Sequence, residues 1–214
     1  VAKIQAKDSS IPKGFYKLAD IDNIIKEQYK PLHWRIAFPR VFAQGGFDMV
    51  ISNPPWEIVK PYRGDFFSDY IEGYDKLETK VAMKLSDSLL AENPKIAEKW
   101  AMYQDTFVKQ NNFYADAYKW QVYKDSEGKK HSGDNNLYKV FVEKIYSILR
   151  EGGTCGVVIP DNLNIDNGCT GLRHLLLEEA SIKEFVMFEN RNRLFEIDSR
   201  YKFDVLNIEK KKPR

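Results

Sequence analysis

Asn53, Pro54, Pro55 and Trp56 follow directly on the apolar run FDMVIS, and their types and order suit one kind of chemistry. A residue before proline is pushed out of the helical region, so Asn53 is expected to be extended, while Pro54 and Pro55 have fixed φ and no N–H to donate. What remains at the tip is nearly all acceptor. The Asn53 amide oxygen and the Pro54 carbonyl can accept from an NH2 group, and the Trp56 ring offers a flat face to a planar heterocycle. An amino group on an aromatic ring is a weak nucleophile because its lone pair is delocalised. Two rigid acceptors drawing on its protons favour a more tetrahedral nitrogen with a localised lone pair, and they gain most as positive charge develops on that nitrogen during attack. This chemistry requires no metal, and the three histidines, His33, His131 and His174, show no ligand spacing. The competing interpretation is a plain turn after a strand, with Trp56 packed into the core.

Such a tip needs a strand to carry it and neighbours to wall it. FDMVIS, following Gly45-Gly46, is a near-continuous apolar run of the kind found in a parallel strand covered on both faces. In doubly wound sheets ligands bind beyond the carboxyl ends of the strands, which is where Asn53 to Trp56 fall. Upstream, Ile21, Ile24 and Ile25 sit at helical spacing, and a short helical stretch around 34–42 is interrupted by Pro31 and Pro39. Residues 1–46 are therefore expected to form an N-terminal helical segment. Between about 57 and 136 the chain is polar and aromatic-rich, with helical spacing in KVAMKLSDSLLAENP and AEKWAMYQDTFVKQNNFYADAYKWQVY. Two or three helices explain that length better than a loop. KDSEGKKHSGDNN closes this insertion as a charged surface loop, with Asp134, Asn135 and Asn136 as an N-cap group for the next helix.

That helix, NLYKVFVEKIYSILREGG, places Leu137, Val140, Phe141, Lys144, Ile145, Ile148 and Leu149 near one stripe, with Gly152-Gly153 as its stop. TCGVVIPDN reads as a second strand and GLRHLLLEEA as an amphipathic helix. SIKEFVMFEN and FDVLNIEK read as an antiparallel hairpin with a long loop. The alternation argues for an α/β fold with a partly parallel sheet. In the hairpin loop Arg191, Arg193, Arg200 and Lys202 could meet phosphates, but Glu189, Glu196 and Asp198 offset them, so a solvated mixed-charge loop is the better description.

Bulk properties set bounds. With 214 residues, 43% hydrophobic and 14% aromatic, there is ample material for a core. Lys and Arg number 33 against 31 Asp and Glu, so the net charge of +2 makes no global case for a polyanion partner. The two cysteines, Cys155 and Cys169, are too few for a disulfide framework and fit a reducing, cytoplasmic setting. No stretch approaches the roughly 18 apolar residues of a membrane span.

FDMVISNPPW resembles the fourth motif of S-adenosylmethionine-dependent amino-group methyltransferases, in which Asp, Asn or Ser precedes Pro-Pro and then Tyr, Phe or Trp. The segments LHWRIAFPRVFAQGG, NLYKVFVEKIYSILREGGTCGVVIPDN and GLRHLLLEEASIKEFVMFENRNRLFEIDSRYKFDVLNIEK extend the likeness in order. Together they are similar to the adenine-N6 DNA methyltransferase core of restriction-modification enzymes, particularly type IIG-like chains. The resemblance implies an α/β, partial Rossmann-like S-adenosylmethionine-dependent methyltransferase fold, a mixed sheet with a C-terminal antiparallel hairpin, plus the helical insertion. Residues 47–214 would be the C-terminal half of the catalytic domain. It implies methyl transfer from S-adenosylmethionine to the N6 amino group of an adenine flipped out of double-stranded DNA. Asn53, Pro54, Pro55 and Trp56 would be catalytic, Trp56 and Phe195 would bind the base, and Asn53 would also touch the cofactor. Nuclease and target-recognition domains would belong to the same parent chain.

The glycine-rich turn that such enzymes use for S-adenosylmethionine is not found upstream of Phe47: Gly14 is isolated, and Gly45-Gly46 leads into a strand. The 214 residues are therefore expected to be a piece of a longer enzyme, inactive alone and weak or silent in cofactor binding, with FDMVIS at a sheet edge. The alternatives are an RNA or protein-glutamine amino-group methyltransferase, since the same grip serves any planar NH2 group, and a non-catalytic DNA-contacting fragment.

Overall fold

The computed structural model describes residues 32–124, 126–131 and 133–213. The chain divides into two compact units, Val1–Gln44 and Gly45–Arg214. In the first, α1 (Trp34–Ala37) and α2 (Pro39–Ala43) are separated by Phe38. Pro39 opens α2, where its missing N–H leaves no helical bond unmade. The rings of Trp34 and Phe38 stack at 5.8 Å. The helical spacing at Ile21, Ile24 and Ile25 lies outside the described residues.

The second unit is an α/β structure. Its elements run β1 (Phe47–Ser52), α3 (Arg63–Phe67), a 3-10 turn (Tyr74–Lys76), α4 (Thr79–Glu92), α5 (Pro94–Ala117), β2 (Tyr123–Lys124), β3 (Lys130–His131), α6 (Leu137–Ile148), β4 (Leu149–Pro160), α7 (Asn162–Ile165), α8 (Thr170–His174), β5 (Ser181–Glu189) and β6 (Lys202–Glu209). The main sheet has the order β1-β4-β6-β5. β1 is parallel to β4, while β6 is antiparallel to both β4 and β5, so the sheet is mixed and ends in the expected hairpin. Among the described residues β1 has one strand neighbour and forms an edge, with β5 at the other edge.

The register puts Cys155 opposite Ile208, Val157 opposite Leu206 and Ile159 opposite Asp204. These residues share one face, and the apolar ones are buried with Tyr138, Val142 and Ile145 of α6, Leu163 of α7, and Leu172, Leu175 and Leu176. Thr154, Gly156 and Val158 alternate onto the other face and are only half-buried. Helical packing on one face explains the departure of β1 from its expected double coverage. Phe47 and Val50 lie against the core, whereas Met49 is 62% and Ile51 81% exposed.

Several local expectations shift. Gly152-Gly153 does not stop α6: Leu149 is already extended, and the glycines lie inside β4. Gly152 has φ 73°, and the pair forms backbone hydrogen bonds with Lys210, just past the end of β6. A side chain at Gly153 would meet the Phe47 carbonyl oxygen at 2.8 Å, so the close approach of β1 requires glycine there. The helix GLRHLLLEEA becomes α8 followed by a π-helical turn, Leu175–Glu179. The charged loop after α5 contains a small hairpin in which Tyr123 pairs with His131, and Gly128 at φ 79° permits the turn. The buried face of α6 is rotated from the expected stripe: Tyr138 and Val142 are buried, and Phe141 is exposed. Polar burial explains part of the shift, because the Trp120 N–H and the Gln121 side-chain amide donate to the Glu143 carboxylate, tying a second face of α6 to the preceding segment.

The segment between β1 and α6 has its own small core. Phe67, Tyr74 and Ala82 are buried, with Phe66, Leu89, Leu90 and Trp100 packed around them. The Arg63 guanidinium lies over the rings of Phe67 and Trp100 and pairs with Asp87, a cation–π and ionic contact that leaves its buried Nε without a hydrogen-bond partner.

Candidate active site

The tip of β1 begins where the ladder stops. Ser52 pairs with Val157, so the chain after it reaches the level of Val158 on β4. There the Trp56 indole N–H donates to the Val158 carbonyl oxygen at 3.3 Å, and the half-buried ring packs against the main core. Trp56 is thus an anchored aromatic with a satisfied polar handle, and the packing interpretation holds for part of its surface. Pro54 is buried and Pro55 half-buried, whereas Asn53 is exposed. A rigid, seated proline beneath an open amide leaves the Asn53 side chain facing outward from a fixed backbone.

The chain leaving the tip is stitched to the start of α6. Ile58 forms an antiparallel bridge with Asn136. The Val59 N–H donates to Asn135 at 2.7 Å and the Leu137 N–H to Glu57 at 2.9 Å. The Asn111 side chain of α5 donates to the Val59 carbonyl, and the Asn135 side chain donates to Asn111. Lys60 pairs with Asp134 at 3.0 Å. The Asp134-Asn135-Asn136 group therefore does not cap α6 as expected: Asn136 occupies the N-cap position without a side-chain cap bond. Its neighbours spend their hydrogen bonds across the chain instead, holding the exit from Pro55-Trp56 in place.

Phe195 comes to the same corner from the β5–β6 loop. Its ring centroid lies 5.7 Å from that of Trp56, at an interplanar angle of 62°. It also meets Phe203 edge-on at 4.9 Å, and Phe203 stacks with Phe188 at 5.3 Å. Trp56 and Phe195 are brought together, but edge to face and not as two parallel walls. The residue that holds this loop, Asn190, carries no motif and was not singled out from the sequence. It is fully buried. Its amide oxygen accepts from the Phe195 N–H at 3.0 Å, and its amide nitrogen donates to the carbonyls of Phe195 at 3.0 Å and Ile197 at 3.2 Å. A buried asparagine is legible only once its partners are known.

Near the end of β4 on the helix-covered face, Asp204 is also fully buried. One carboxylate oxygen accepts from Asn164 at 3.0 Å and the other has no partner. Burial, with a smaller contribution from Asp161, pushes its pKa up to about 6. Three of the four cations of the loop are paired within it. Arg191 and Lys202 face Glu189, and Arg200 grips Asp198, whose carboxyl is held well below the usual range by those hydrogen bonds. Glu189, Arg191, Ser199, Arg200 and Lys202 line a cleft of about 520 Å³ there, a mixed-charge surface. Cys155 and Cys169 are buried free thiols, and burial pushes Cys155 up to about 12, so both are packing residues.

Among the described residues, Gly45 and Gly46 sit at the start of β1, the end away from the tip, while Gly156 of β4, opposite Ile51, has open space at its Cβ position. A side chain on Gly46 would meet the backbone of Leu149 and Arg150 at 2.8 Å, so its bareness serves the passage of α6 into β4. Among the described residues there is no group of three or more metal-ligating side chains, and no helix is long and apolar enough to cross a membrane.

The family model described as Eco57I restriction-modification methylase matches residues 2–87 and 103–195, most of the chain, and the chain belongs to that family. The gap between the two matches falls at the junction of α4 and α5, so most of the helical segment lies within matched sequence. No curated protein matches the sequence.

Proposed function

For this member of a restriction-modification DNA methylase family, we propose methyl transfer to the N6 amino group of adenine, with the acceptor base held at the β1 tip. The observation that carries the proposal is the arrangement of Asn53-Pro54-Pro55-Trp56 at the end of β1: an outward amide on a seated proline, beside an indole tied to Val158 and touching Phe195. Asn53 and the Pro54 carbonyl accept from the amino group, orienting its lone pair, and their attraction grows as the nitrogen becomes positive. Trp56 stacks on the base, which must leave the duplex to reach the tip. Pro55 adds a second residue with no backbone N–H to the turn. Phe195 supplies the second apolar wall, and its edge contact with Trp56 is the closed arrangement that an entering base displaces. S-adenosylmethionine supplies the methyl group when bound, with Asn53 at the border between donor and acceptor.

The test is tritiated methyl transfer by the full-length protein to DNA, RNA and protein, followed by nucleoside analysis. N6-methyladenine in DNA is the expected product. Asn53→Ala is expected to lower the rate by about 10²–10³-fold, the usual effect of removing one preorganised polar group from a reacting centre. An unchanged rate would show the mechanism to be wrong.

A further inference from the structure

We infer that Asn190 is a positioning residue for base binding, acting through Phe195: its buried side chain closes the β5–β6 loop into a ring that sets Phe195 against Trp56. The inference rests on the proposed acceptor site and adds a residue that touches neither base nor methyl donor. Asn190 follows directly on β5 and opens a 3-10 turn, and its own N–H donates to Tyr201 at 2.8 Å across the mouth of the hairpin. From there the side chain reaches over the loop. It accepts from the Phe195 N–H and donates to Phe195 and Ile197, with a longer contact to Asp198 at 3.4 Å. The Asn190 carbonyl accepts from Arg193 at 2.8 Å, and Arg193 adopts the left-handed conformation at φ 51° that turns the chain back. One amide thus satisfies both the N–H and the C=O of Phe195.

This arrangement fixes backbone and leaves the ring free. Phe195 is only half-buried, and its ring is held by edge contacts with Trp56 and Phe203, not by close packing on all sides. A ring in that position can rotate aside for a base while its Cα stays in place. Without the clamp, the loop between Arg191 and Ser199 has mostly exposed side chains, with the surface pair Arg200–Asp198 at its far end. Such a loop would sample many conformations, and each base-binding event would have to order it again.

A double-mutant cycle in the full-length protein tests the coupling, reading kcat and KM for unmethylated plasmid DNA. Asn190→Ala is expected to raise KM for DNA or lower kcat/KM about 10-fold, and Phe195→Ala by a similar factor. The double variant is expected to stay within about twofold of Phe195→Ala, since the clamp has nothing left to position. Multiplicative losses would overturn the inference. Should Asn190→Ala fail to fold, amide exchange on the wild-type protein decides instead. The Phe195 amide is expected to exchange far more slowly than the loop amides of Arg191 and Leu194, and equal rates would refute the clamp. If wild-type protein forms no N6-methyladenine, the adenine assignment fails on its own, while the exchange measurement still reports on the clamp.

Discussion

Leu149, Ile159, Leu206 and Ile208 of the sheet and Leu172 of α8 meet between sheet and helices, closed off from solvent by other apolar side chains. At the end of β1 the opposite holds: Asn53 is open, Trp56 and Phe195 are half-buried, and position is kept by hydrogen bonds, with Val158 accepting from Trp56, Asn111 donating to Val59, Asn135 donating to Asn111 and Asn190 accepting from Phe195. The first region is held by area removed from water, which tolerates small shifts in angle. The second is held by directional bonds to backbone groups, which fix a few atoms and leave a surface bare. The difference separates stability from activity, region by region.

The largest effect expected from that separation is on the core. Leu206→Ala removes a fully buried side chain from the middle of β6 and is expected to lower unfolding free energy by about 2–5 kcal/mol in chemical denaturation. Methyl transfer per folded molecule should stay near the wild-type value. A loss of rate without loss of stability would break the comparison. Asn53→Ala should do the reverse, with its rate defect accompanied by a stability change within about 0.5 kcal/mol, as for an exposed position away from packing.

Asp204 sharpens the boundary, because it is a charge-bearing group inside the region held by burial. Its folded pKa of about 6 lies above its ordinary 3.8. Between those values the folded chain holds a proton that the unfolded chain has released, so stability falls as pH rises through the window and stays lower above it. Asp204→Asn removes the ionisation. Relative to wild type its stability is expected to increase from about pH 4 to about pH 6, by at most about 3 kcal/mol, and then to level off. Thermal unfolding at several pH values measures this, and parallel curves for the two proteins would refute it.

The sequence reached the elements more readily than their faces. The order of strands, the β5–β6 hairpin and the broken helix around Pro39 follow from apolar periodicity and from the fixed geometry of proline, which are local properties. Gly152-Gly153 misled because a glycine pair after a helix and a glycine pair that lets a neighbouring strand pass closely look alike until β1 and β6 are in place. Asp134, Asn135 and Asn136 misled for a related reason. A local cap competes with longer-range partners, and Lys60, Asn111 and Ile58 lie 24 or more residues away.

The sequence on its own set a strand that ends in an acceptor-rich tip with few donors and an aromatic behind it, since φ at proline and the missing N–H are properties of the residues. Only the tertiary structure decided that Trp56 is tied to β4, that Phe195 reaches it from a loop 139 residues later, and that Asn190 holds that loop. Those relations depend on hydrogen bonds and ring contacts between distant segments, which no local pattern of residues records.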